Sequence, residues 1–218
     1  MPVLYQTFGT IDEWRKARGS YIGGSDAAAI LGLTPYMNNV QLWEIKTGRK
    51  SQKDISAEPY VFYGTNAEPM LRELYKLDHP HQRVIYEPNN MWNNTDYPFA
   101  HASLDGWIED NKKGRGILEI KTTTINGAAQ RQKWENKIPD NYFVQILHYL
   151  LVTGYDFATL KAQIKYERDD EDLFIVTKQY TIDRGDVADD LAFLAEKEAE
   201  FYEYIRTDTC PPLILPSI

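Results

Sequence analysis

HASLDGWIED (residues 101–110) and RGILEIKTT (residues 115–123) are two apolar runs joined through the turn-rich stretch Asp110-Asn111-Lys112-Lys113-Gly114. A hairpin centred on Lys112 pairs residues whose numbers sum to 224, which sets Asp105 opposite Glu119 and Ser103 opposite Lys121 on one face. Opposed residues have Cβ atoms about 5 Å apart, and two carboxylates at that distance repel unless a cation lies between them. Oxygen ligands of this kind suit a hard divalent ion such as Mg²⁺, which keeps several waters and takes one or two carboxylates. Lys121 beside it is placed to orient or deprotonate a water, or to steady charge on a phosphate. The pattern is an outline of metal-dependent phosphodiester hydrolysis.

The tripeptide alone decides nothing, because Glu44-Ile45-Lys46 and Glu135-Asn136-Lys137 repeat it. Both of those copies lie in stretches with helical periodicity, where the side chains are ordinary solvated charges. The strand setting and the facing Asp105 single out the third copy.

The chain has 218 residues and 43% hydrophobic content, enough for one substantial core, so a single domain over 1–218 is expected. No apolar run approaches membrane-spanning length, the first residues lack the form of a secretory signal, and one cysteine excludes a disulfide framework or a four-cysteine metal site. A cytoplasmic location and no membrane partner are expected. Net charge is −8, but residues 167–203 carry thirteen acids against four bases, so the rest of the chain is near +1. Local basic groups, including Arg15-Lys16-Arg18 and Arg131-Lys133-Lys137, remain for a phosphate backbone, although most such clusters are plain surface charge.

Thr10 to Glu13 reads as a capping box opening a helix through Arg18, and Ser25 as the N-cap of a second helix from Asp26 to Leu31. Further helices are expected at Val40–Thr47, at 59–77 with Pro69 opening a new helix or kinking the old one, and at Tyr142–Thr153, closed by Gly154. An acidic helix is expected at about 186–206. Strands are expected at Arg83–Glu87, Phe99–Glu109, Arg115–Thr122, Phe157–Tyr166 and Leu173–Ile182, the last two joined by the acidic turn Asp169 to Asp172. This order implies an α/β (α+β) fold with a mixed central sheet flanked by helices.

Gly23-Gly24-Ser25 at a helix start attracts anions through free N–H groups, and a phosphate held there by Ser25 and Arg18 is weighed evenly against a plain turn. The lysine of a P-loop is absent. By itself Glu68 is one more helix glutamate. Gln145 and Tyr149 share a helix face, while His148 fits a satisfied core histidine better than a general base.

Taken in order, Arg18…IGGSDAAAILG, Gly64-x-x-x-Glu68, Ser103-Leu104-Asp105-Gly106, Leu118-Glu119-Ile120-Lys121 and Gln145-x-x-x-Tyr149 resemble the phage lambda exonuclease family, including the YqaJ-like viral recombinases. That family lies within the PD-(D/E)xK nuclease superfamily, whose restriction-endonuclease-like core the resemblance implies here. It further implies that Asp105, Glu119 and the Ile120 carbonyl ligate Mg²⁺ or Mn²⁺, that Glu68 completes the acidic site, and that Lys121 assists the attacking water. Arg18, Ser25, Ser103 and Gln145 would grip a terminal 5′-phosphate, with Tyr149 beside them. The implied activity is 5′-to-3′ exonuclease action on double-stranded DNA ends in phage-type DNA recombination, by a ring-shaped homotrimer working with a single-strand annealing protein. One departure stands out: Leu104 replaces the proline that often precedes the aspartate. The rival readings are a restriction- or repair-type endonuclease and a non-catalytic DNA-end-binding scaffold.

Overall fold

The computed structural model describes residues 3–19, 21–167 and 173–215; Ser20 and the turn expected at Asp169 to Asp172 lie outside them. The central hairpin forms in the expected register. Strands β5 (Gly106–Asp110) and β6 (Gly114–Ile125) run antiparallel, with Gly106 opposite Leu118 and Asp110 opposite Gly114. Asp110 fixes the turn, its Oδ1 accepting the backbone N–H of Lys112 at 2.7 Å and of Lys113 at 3.0 Å, while Gly114 supplies a φ of +87° that other residues adopt at a cost.

The single strand expected at Phe99–Glu109 is two strands in different sheets. The first, β4 (Tyr97–Ala102), leaves its sheet at Ser103, and the chain joins β5 only at Gly106. Ser103 and Asp105 therefore stand just beyond the ladder instead of within it. The cause is Asn90: its Oδ1 accepts the Leu104 N–H at 2.7 Å and its Nδ2 donates to the Leu104 carbonyl at 2.8 Å, occupying both groups a ladder would use. A proline at 104 would have no N–H to give, so the Leu104 departure is matched by a local partner.

Beyond the hairpin, β6 pairs in parallel with β7 (Phe157–Glu167), which pairs antiparallel with β8 (Leu173–Asp183). The short strand β2 (Arg83–Ile85) lies on β5, completing a mixed sheet of order β2-β5-β6-β7-β8. The parallel step requires a crossover, supplied by α6 (Asp140–Thr153), which ends at Gly154 with a φ of 67°. A second, antiparallel sheet of β1 (Val3–Thr7), β3 (Asn90–Asn94) and β4 lies beside it. Neither β1 nor β3 was expected; NMWNN is a poor strand former on composition, whereas VLYQT is not.

Helix α4 (Pro59–Asp78) continues through Pro69 without a break and packs Leu71 and Tyr75 against Leu118, Ile120 and Phe157. On the other side, α6 covers Ile117 and the β7 residues Ala158, Leu160, Ala162 and Ile164, and α7 (Ala188–Arg206) packs against α6. A 3-10 turn, Arg184–Val187, precedes α7. The remaining helices are α1 (Ile11–Gly19), α2 (Gly24–Ile30), α3 (Asn39–Lys46) and α5 (Ala128–Lys133). The Thr10–Glu13 capping box forms, with bonds of 3.1 and 3.2 Å. Ser25 is not the N-cap of α2. Gly23 holds that place, and Asp26 reaches back to accept its N–H at 2.9 Å. Glu135-Asn136-Lys137 falls in a bend after α5, not in a helix. Among the described residues no helix is long and apolar enough to cross a membrane.

Candidate functional site

The sheet brings the end of the hairpin between α4 and α6. On β6, Glu119 is 2% exposed, and its Oε1 lies 2.7 Å from Lys121 Nζ and accepts Gln145 Nε2 at 2.9 Å. Gln145 Nε2 also donates to the Tyr149 hydroxyl at 2.8 Å, and the Lys121 ammonium sits 5.3 Å from the centre of the Tyr142 ring. The other carboxylate oxygen, Glu119 Oε2, is buried with no hydrogen-bond partner among the described residues. Asp105 Oδ2 accepts the Ile120 N–H at 2.9 Å, and so holds its place beside Glu119 although the ladder has ended. From α4, Glu68 pairs with Arg72, whose Nε donates to the Asp105 carbonyl at 2.6 Å and whose guanidinium stacks 3.6 Å from the Tyr86 ring centre.

Burial and crowding set the electrostatics. Glu119 is pushed up to about 8, by burial first and by the Asp105 charge second. The same two causes push Glu68 up to about 7. Burial raises Asp105 as well, against the pull of Lys121 and the Ile120 N–H. Lys121 is raised despite its burial, because Glu119 and Asp105 favour the ammonium. A lysine so held is a donor and a positive charge. In that state it can orient a water and steady negative charge.

These residues fit a hard divalent cation. Three carboxylates resist ionising together in a partly buried site, and the orphaned Glu119 oxygen is the acceptor such an ion would satisfy. Among the described residues no three His, Cys, Asp or Glu side chains are grouped so as to hold a metal ion by themselves. A site of one or two carboxylates, a carbonyl and water is the open arrangement Mg²⁺ favours.

The residues expected at a terminal phosphate divide. Arg18 and Ser25 line a cleft of about 490 Å³ with Trp14, Lys46 and His101. Gln145 instead donates to Glu119, and Tyr149 accepts from Gln145. Ser103 Oγ is buried without a hydrogen-bond partner among the described residues. The two groups meet at Gly24, where an added Cβ would come 2.5 Å from the Tyr149 ring and 3.0 Å from Gln145 Cγ. Only glycine lets α2 approach α6 so closely, leaving Ser25 one residue away. The sequence reading missed Arg72, Tyr86, Asn90 and His101. The spacing of four between Glu68 and Arg72 was a signal for the first, and nothing local marked the others. His148 is a satisfied core residue, as read, with Nδ1 2.7 Å from Glu198 and Nε2 2.8 Å from the His101 carbonyl.

The family model described as YqaJ-like viral recombinase domain matches residues 13–156. A protein of Bacillus subtilis (strain 168), named Uncharacterized protein YqaJ, is 32% identical over 178 residues, covering 77% of this chain and 53% of its own length. The chain thus spans about half of that relative. Among solved structures, an alkaline exonuclease from Laribacter hongkongensis is 17% identical with a TM-score of 0.60, covering 90% of this chain and 93% of its own. A phage related exonuclease from Haemophilus somnus 129PT is 11% identical with a TM-score of 0.51, covering 86% of this chain and 96% of its own. At these identities the two structures establish a shared fold. With the family model matching more than half its residues, the chain belongs to the YqaJ-like viral recombinase domain family.

Proposed function

We infer that the protein is a Mg²⁺-dependent exonuclease that degrades double-stranded DNA from its 5′ ends in phage-type recombination. The observation that carries this reading is the buried, unpartnered Glu119 Oε2 beside Asp105 and Lys121. Two structural neighbours named as exonucleases support the reaction class. The family description supports the recombination setting.

Asp105, Glu119 and the Ile120 carbonyl would hold the ion, with Glu68 behind them. When bound, Mg²⁺ supplies charge stabilisation for phosphoryl transfer. Lys121 holds its ammonium at the carboxylates, where it orients the attacking water and offsets negative charge developing on the phosphate. Gln145 and Tyr149 keep Glu119 Oε1 in place, while Arg72 fixes both Glu68 and the Asp105 backbone. Arg18 and Ser25 in the adjoining cleft would take the terminal 5′-phosphate and so select ends over internal sites.

Polarity is tested with duplexes labelled on one strand at the 5′ or the 3′ terminus. The 5′ label is released first, as mononucleotide, and the 3′ label late. Early release of the 3′ label would overturn the polarity.

A further inference from the structure

We propose that His101, acting through Arg18, is a positioning residue that sets the cleft's selectivity for a phosphate-bearing DNA end. This rests on the reading of the cleft as a terminal-phosphate site.

The ring of His101 is 2% exposed and makes two bonds that admit one protonation state. Nδ1 lies 3.2 Å from the Ile22 carbonyl, and a carbonyl only accepts, so Nδ1 carries the hydrogen. Nε2 lies 3.1 Å from Arg18 Nε, and a guanidinium only donates, so Nε2 presents its lone pair. An imidazolium would set N–H against N–H. Burial, together with the Arg18, His148 and Lys46 charges, holds His101 well below its ordinary value and so keeps the ring neutral.

Neighbouring elements determine this orientation. The Ile22–Ala100 bridge, closed by His101 N–H to Ile22 O at 2.9 Å, brings the α2 entry against β4. An added Cβ at Gly23 would lie 2.6 Å from the imidazole, so glycine there is what lets the ring sit against the α2 entry. Behind it, His148 Nε2 donates to the His101 carbonyl at 2.8 Å, while His148 Nδ1 meets Glu198 of α7 at 2.7 Å.

The consequence lies with Arg18. Its guanidinium stacks 4.1 Å from the Trp14 ring centre, and the Trp14 Nε1–H is itself tied to the Asn90 carbonyl at 2.9 Å. With Nε spent on His101, the two Nη groups are left, and among the described residues they meet no carboxylate. Two terminal N–H groups on a fixed plane are the arrangement that binds a phosphate bidentately. Of the two acids that line the cleft, Asp26 is occupied by Lys46 at 2.7 Å, and Asp54 accepts the Ser56 N–H at 2.9 Å.

The test compares wild type, His101→Leu and His101→Gln on linear duplexes ending in 5′-phosphate or 5′-hydroxyl. Leucine fills the space but accepts nothing, whereas the glutamine carbonyl can replace the Nε2 lone pair. The phosphate-to-hydroxyl ratio of kcat/KM falls about tenfold in His101→Leu, as expected for loss of a bond to a charged group, and returns in His101→Gln. Arg18→Ala lowers the ratio, and adding His101→Leu to it lowers it no further. An unchanged ratio in His101→Leu, or equal losses in the leucine and glutamine variants, would overturn the proposal. Nitrogen NMR of wild type gives a second reading: Nδ1 protonated is expected, and Nε2 protonated would contradict it. Binding of the same duplexes in EDTA separates the two readings. A His101-dependent preference for phosphate without any cleavage defeats only the nuclease reading; cleavage indifferent to the terminal phosphate defeats this proposal together with the phosphate reading of the cleft and leaves the nuclease reading standing.

Discussion

Lys121→Ala is expected to lower turnover on linear duplex DNA by about 10³-fold, the scale seen when a single charge-stabilising donor is removed from an active site. The fold should survive the change. Glu119 would lose the ammonium 2.7 Å from its Oε1 but keep the Gln145 amide, and a buried carboxylate without its cation takes up a proton more readily than it stays charged. Circular dichroism should therefore be that of wild type, and duplex binding largely retained. Turnover within a few fold of wild type would remove Lys121 from the chemistry.

Asp105→Asn is expected to abolish cleavage while making the metal-free protein more stable in alkali. In wild type, Glu119 titrates at about 8 against an ordinary 4.5, and Asp105 is the main charge responsible after burial. A carboxyl whose value is raised on folding contributes stability fully below 4.5, and that contribution is lost as pH rises through 8. The melting temperature of the metal-free protein should thus fall between pH 6 and 9, and Mg²⁺ should restore it most at the alkaline end. Asparagine removes the repelling charge, so the fall becomes shallower and the response to Mg²⁺ disappears. Thermal melts across this range with and without Mg²⁺ check both slopes. A fall in Asp105→Asn as steep as that of wild type would mean that the Asp105 charge does not raise Glu119.

The contrast between hairpin and site shows what local sequence can carry. The pairing of β5 with β6 was legible because Asp110, the turn and Gly114 fix a register within a dozen residues, and one slipped residue would turn Leu118 and Ile120 away from Leu71 and Tyr75. The placement of Asp105 past the ladder was not legible, since it depends on Asn90, fourteen residues upstream of Leu104 on a strand whose composition conceals it. The Ser25 cap failed for a different reason. A serine and an aspartate both suit a helix start, and the close approach of Gly24 to Tyr149 moved the helix back by two residues. Arg72 and His101 escaped because their partners come from other elements: the Asp105 backbone in one case, Ile22 and Arg18 in the other.

The most direct test is digestion of a linear 5′-phosphorylated duplex beside a covalently closed circle of the same sequence, each with Mg²⁺ and with EDTA. Complete loss of the linear duplex only in Mg²⁺, with the circle intact throughout, is the expected result. Cutting of the circle, or degradation of the linear duplex in EDTA, would contradict an end-dependent, metal-dependent exonuclease.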